Sequence, residues 1–160
     1  MELVHRIQIR IEQSEIPFLR GLRPYLLKEE EMQIKFDYTV KTDKSFEEAA
    51  VNIRKTVEAK GWTVLQVYDM KEMLAVKGFE FSNLKLFEIC NAKYAYQFLK
   101  EDSLISLCMP CRISLYEKNG EILISGMRPV MIGEFFPDLD LGELPLKVDE
   151  DLRGIVDKAK

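Results

Sequence analysis

The chain has 160 residues, 47% of them apolar and 31% charged, enough for the core of one domain and unlike collagen-like, mucin-like or wholly disordered chains. Lys and Arg total 23 against 27 Asp and Glu, a formal charge of -4, so no overall basic field exists to hold a nucleic-acid backbone. No apolar run reaches the ~18 residues of a membrane span, and three cysteines without an export signal at the start suggest a reducing cytoplasm with free thiols.

In chain order, Leu3, Ile7, Ile9 and Ile11 alternate with polar residues and predict a strand. The stretch Pro17 to Lys28 is read as irregular, because Pro24 interrupts a helix and Gly21 weakens it. Its apolar and basic mix resembles a membrane-surface helix, but a face broken by Pro24 is too short to hold lipid, and burial is the favoured reading. Ile34, Phe36, Tyr38 and Val40 alternate with polar partners as a half-buried strand, where the main domain begins. Ser45 and Glu48 form a capping box ahead of a helix carrying Phe46, Ala49, Ala50, Ile53 and Val57, and Gly61 ends it. Trp62 to Tyr68 is β-rich, Asp69 to Lys77 makes a helical turn or two before Gly78, and Leu84 to Cys90 is strand-like. Asn91 caps a helix with Ala92, Ala95, Phe98 and Leu99 inward, and Leu104 to Cys108 begins an extended segment. Cys111, Ile113 and Leu115 start a hairpin that turns at Asn119-Gly120 and returns through Ile122 and Ile124. From Pro129 a punctuated but apolar stretch wraps the domain, and Val148 to Ala159 closes the chain as a helix. The organisation expected is an extension over 1–31, a core over 32–129 and a wrapping loop with a helix over 130–160.

Candidate chemistry is sparse. Cys108-Met109-Pro110-Cys111 has the spacing of a dithiol motif, yet an extended run would hold its two α-carbons roughly 10 Å apart, beyond the ~7 Å a disulfide tolerates. A zinc site drawing on Cys90, Cys108, Cys111 and His5 lacks a second paired spacing, so no metal centre is expected. Asp138, Asp140 and Glu143 read as solvated loop carboxylates. The aromatics Tyr94, Tyr96, Phe98, Tyr116, Phe135 and Phe136 can line a pocket, though such spacing more often marks core or subunit contacts. Phosphate-loop, dinucleotide and nucleophile-elbow signatures are lacking, and the sequence names no cofactor.

Five segments together carry a resemblance: Thr42-Asp43-Lys44-Ser45-Phe46-Glu47-Glu48-Ala49, Gly61-Trp62-Thr63-Val64-Leu65, Cys90-Asn91-Ala92-Lys93-Tyr94-Ala95-Tyr96, Met109-Pro110-Cys111 and Tyr116-Glu117. They make the chain similar to the domain of unknown function 302 family over about residues 34–129. The resemblance implies a compact α+β domain similar to known homodimers, with no established reaction. Its shared thiols match Cys90 and Cys111, leaving Cys108 as an extra, and Ala92 stands where the family usually has proline.

The fold expected is α+β, a mostly antiparallel sheet in the order strand-helix-strand-strand-helix-strand-strand with helices on one face; the other face is left for a second subunit or the extensions. A ferredoxin-like sandwich is the alternative. Cys90 ends a strand and Asn91 caps the next helix, so the amides of Ala92 to Ala95 offer a partly positive pocket beside the sulfur. The leading functional expectation is a homodimeric, non-enzymatic module that binds or senses a small ligand at Cys90, Asn91, Lys93, Pro110 and Cys111. A thiol-dependent enzyme or carrier using Cys90 or Cys111, with Lys93 or a carboxylate as base, is a second reading. A structural oligomerisation unit is a third.

Overall fold

The structure is a computed structural model and describes residues 35–160. The expected strand over Leu3 to Ile11 and the irregular stretch from Pro17 to Lys28 lie outside the described residues, as does His5.

Strand β1 (Asp37–Thr42) leads into helix α1 (Phe46–Ala59) through the capping box expected at Ser45. The Glu48 amide donates to Ser45 Oγ at 3.3 Å and the Ser45 amide donates to Glu48 Oε2 at 3.0 Å, so two amides that a helix start leaves without partners are satisfied locally. Ala49, Ile53 and Val57 form the buried stripe of α1, and Gly61, at φ 78°, adopts the left-handed turn that ends the helix. Strand β2 (Thr63–Asp69) passes into the short helix α2 (Met70–Ala75), capped by Asp69, and the chain returns as β3 (Leu84–Cys90). Helix α3 (Ala92–Glu101) follows directly, then a 3-10 helix (Ser103–Cys108). The hairpin of β4 (Cys111–Lys118) and β5 (Glu121–Met127) turns at Asn119 and Gly120 with both φ angles positive, as a tight two-residue turn requires. Helices α4 (Met131–Phe135) and α5 (Leu144–Ala159) complete the chain.

The five strands form one antiparallel sheet in the order β1-β5-β4-β3-β2. The α+β architecture therefore holds, with five strands where a ferredoxin-like β-α-β-β-α-β unit has four. One face carries Phe87, Ile89, Ile113, Leu115 and Ile124, closed by α1 and α5 through Ile53, Leu152, Ile155 and Val156. Contact there is tight enough that a β-carbon added to Gly126 would come within 2.8 Å of Leu152 Cδ2. Arg128, just past β5, holds the buried Asp149 of α5 in a two-pronged ion pair, Nε to Oδ1 at 3.0 Å and Nη2 to Oδ2 at 2.8 Å. Tyr38 ties β1 to the other end of α5 by donating to Asp157.

Four local expectations need correction. Residues 103–108 coil as a 3-10 helix rather than extend, because Asp102 Oδ1 accepts the Leu104 amide at 2.7 Å and starts a turn. The buried side of α3 is Phe98 with Tyr94 packed on the core, while Ala92 and Leu99 are exposed. The ring of Tyr94 lies 5.9 Å from that of Trp62, on the inward side of the helix. The stretch after Pro129 contains α4, anchored by buried Met131 and Ile132. Helix α5 starts at Leu144 rather than Val148, with Pro145 in its first turn, where a missing amide costs nothing.

Candidate thiol-walled hollow

Strand pairing fixes the relation between the two shared thiols. Cys111 opens β4 opposite Ile89, and Cys90 is the next residue of β3, opposite Thr63. Side chains alternate along a strand, so Cys111 shares the helix-covered face with Ile113, whereas Cys90 falls on the other face with Glu88. The sulfurs are still near enough at the end of this strand pair for a charge on Cys90 to push the Cys111 thiol upward.

The helix start beside Cys90 is already occupied. Asn91 Oδ1 accepts from the amides of Lys93 at 3.1 Å and Tyr94 at 3.3 Å, and the Asn91 carbonyl accepts from Ala95. The cap thus consumes most of the positive pocket that the sequence offers an anion. Burial raises the Cys90 and Cys108 thiols above their ordinary values, and for Cys111 burial first and the neighbouring Cys90 second push it up to about 12. All three thiols are free. Among the described residues no cluster of three His, Cys, Asp or Glu is placed to hold a metal ion.

A hollow of about 190 Å³ lies where β4 begins and β5 ends. Its walls include Cys108, Pro110 and Cys111 on one side and Met127, Ile132 and Phe135 on the other, with Leu107 and Arg112 also at its border. The 3-10 coil brings Cys108 and Cys111 onto one cavity, where an extended run would have held them apart. Of the five candidate residues, Pro110 and Cys111 border the hollow, while Cys90, Asn91 and Lys93 stand at the neighbouring strand end, outside its walls. Arg112 reaches Glu88 at 3.3 Å and is half exposed. Arg112, Met127 and Ile132 were not singled out in the sequence, whereas Phe135 was, among the aromatics able to line a pocket. The carboxylates Asp140 and Glu143 serve the loop, the first accepting from the Gly142 amide and the second pairing with Lys147.

The family profile for "Domain of unknown function DUF302" matches residues 38–159. The chain belongs to this family. The DUF302 match continues past Pro129, where the sequence resemblance stopped, to the end of α5, whose Val148, Leu152, Ile155 and Val156 complete the core. The structure is similar to that of an uncharacterized conserved DUF302 protein from Bacillus stearothermophilus, with a TM-score of 0.75 and 26% identity over 79% of this chain and 100% of that one. No curated protein matches this DUF302 chain. No helix among its described residues is long and apolar enough to cross a membrane.

Proposed function

We propose that this DUF302 protein is a non-enzymatic module that binds or senses a small ligand in the hollow walled by Cys108, Pro110 and Cys111. The observation that carries this reading is the mismatch between position and reactivity. Pro110 and Cys111 of the motif border a cavity, yet burial pushes the Cys111 thiol up to about 12, so at neutral pH it is a protonated, apolar wall rather than a nucleophile. The volume is below the ~300 Å³ of common drug-sized pockets, which points to a compact ligand. Apolar walls with a guanidinium at the border favour a short apolar body ending in a carboxylate. Cys90, Asn91 and Lys93 then brace the adjacent strand end rather than touch the ligand.

The same reading includes a homodimer, supported by Met73, Val76, Phe79 and Phe81, large apolar side chains exposed together on α2 and the connection to β3. A reducing cytoplasm is proposed because all three thiols are free.

Hexanoate is a direct probe. Amide chemical shifts should move for residues 107–112 and 127–135 and saturate, and Cys108→Phe should abolish the response while leaving the melting temperature nearly unchanged. Shifts scattered over the molecule, or none, would remove the ligand reading. Light scattering of Phe79→Glu/Phe81→Glu against the parent tests the dimer, with a halved mass expected and an unchanged monomeric mass for both ruling it out.

A further inference from the structure

On the far side of the helix layer, α1 and α5 diverge around a groove of about 230 Å³. Its border carries Lys55 and Lys60 from α1 and Lys158 from α5, and Thr56, Ala59, Gly154 and Ile155 make up the rest. Lys60 is held by Asp151 at 2.9 Å, and among the described residues no ion pair engages Lys55 or Lys158. Three lysines bordering one concavity, two of them in no ion pair among the described residues, are unexpected in a chain whose formal charge is -4.

Gly154 supplies a separate observation. A glycine inside a helix is destabilising relative to alanine, so its presence asks for a cause. Gly126 has one, since a β-carbon there would strike Leu152. At Gly154 the added β-carbon would meet nothing within 4 Å. Packing therefore does not require this glycine; what it does is keep one wall of the lysine groove free of side chain.

We propose that this groove is a second binding site, for a small organic phosphate. The phosphate would sit among Lys55, Lys60 and Lys158, with the Thr56 hydroxyl as a further donor, and its apolar body would lie over Ala59 and the bare backbone of Gly154. Lysine serves phosphate as a point charge, and several ammonium groups suit a doubly charged anion better than a single carboxylate. The site shares no lining residue with the thiol-walled hollow, so its fate is independent of the function proposed there.

Phenyl phosphate and inorganic phosphate are the probes, followed by amide chemical shifts of the full chain. Phenyl phosphate should perturb residues 55–60 and 154–158, bind more tightly than inorganic phosphate because its ring covers the apolar floor, and weaken as salt rises. Lys55→Glu/Lys158→Glu should weaken it roughly tenfold or more. Gly154→Leu, which fills the groove, should remove the advantage of phenyl phosphate over inorganic phosphate. Both variants alter open positions, and a melting temperature no lower than the parent's would show that they fold. Perturbations centred elsewhere, or binding indifferent to charge reversal and to Gly154→Leu, would overturn the proposal.

Discussion

The middle of the sheet and its thiol end are built from the same strands and packed in opposite ways. Where α5 crosses β5, Leu152 lies against the bare α-carbon of Gly126 with no room for a methyl group. At the very next residue of the same strand, Met127 borders a hollow of about 190 Å³. Arg128 stands between Met127 and Pro129, two residues of that wall, and its pair with Asp149 fixes α5 over the strand. The contrast teaches that the hollow is not looseness spread through a small domain. It is a local gap next to a close-packed core and an ion pair that holds the surrounding elements in place.

The largest expected effect therefore comes from the hinge between the two regions. Arg128→Leu should cost about 3 kcal/mol in denaturant unfolding, because it leaves the buried Asp149 carboxylate only the long contact to Arg153 Nη1 at 3.9 Å. A loss under ~1 kcal/mol would mean that the pair is solvated and does not fix α5. In the packed region, Leu152→Ala should cost about 2–5 kcal/mol, while truncating Leu107 at the hollow, where it is largely exposed, should stay within about 0.5 kcal/mol. Equal losses at the two places would erase the distinction. Asn91→Ala should cost about 1 kcal/mol through its helix cap and leave hexanoate shifts in place. Gly154→Ala should gain up to about 1 kcal/mol, since the new methyl meets nothing and the helix prefers alanine.

Much of this architecture was legible because its signals are local. The Ser45–Glu48 box, Asn119-Gly120 and Asn91 each act on backbone groups within three residues, so sequence alone exposes them. The 3-10 coil after Asp102 is not legible, because Leu104 to Cys108 suits a strand equally well and the cap shows only in the fold. The start of α5 is hidden because Pro145 reads as loop punctuation as readily as a first-turn residue. At the site, Pro110 and Cys111 were legible through a motif, but Met127, Ile132 and Phe135 reach the hollow only because β5 ends beside β4 and α4 folds back over it. No spacing along the chain encodes that convergence. The same holds for the separation of Cys90 from Cys111, which depends on a register offset of one residue.

Titration adds a pH signature. A thiol held above its unfolded value near ~8.5 binds its proton more firmly in the folded chain, so Cys111 contributes stability below that pH and loses it as the pH climbs toward about 12. Stability of the parent should consequently fall more steeply in alkali than that of Cys111→Ala, followed by urea midpoints across this range.

The rate at which Cys111 reacts with iodoacetamide, followed against pH in a Cys90→Ser/Cys108→Ser chain, addresses the binding reading most directly. The account predicts slow modification at neutral pH, a rate still rising past the ordinary thiol range, and further slowing when hexanoate is added. Rapid modification with a midpoint at or below neutral pH, untouched by hexanoate, would show an activated nucleophile and contradict it.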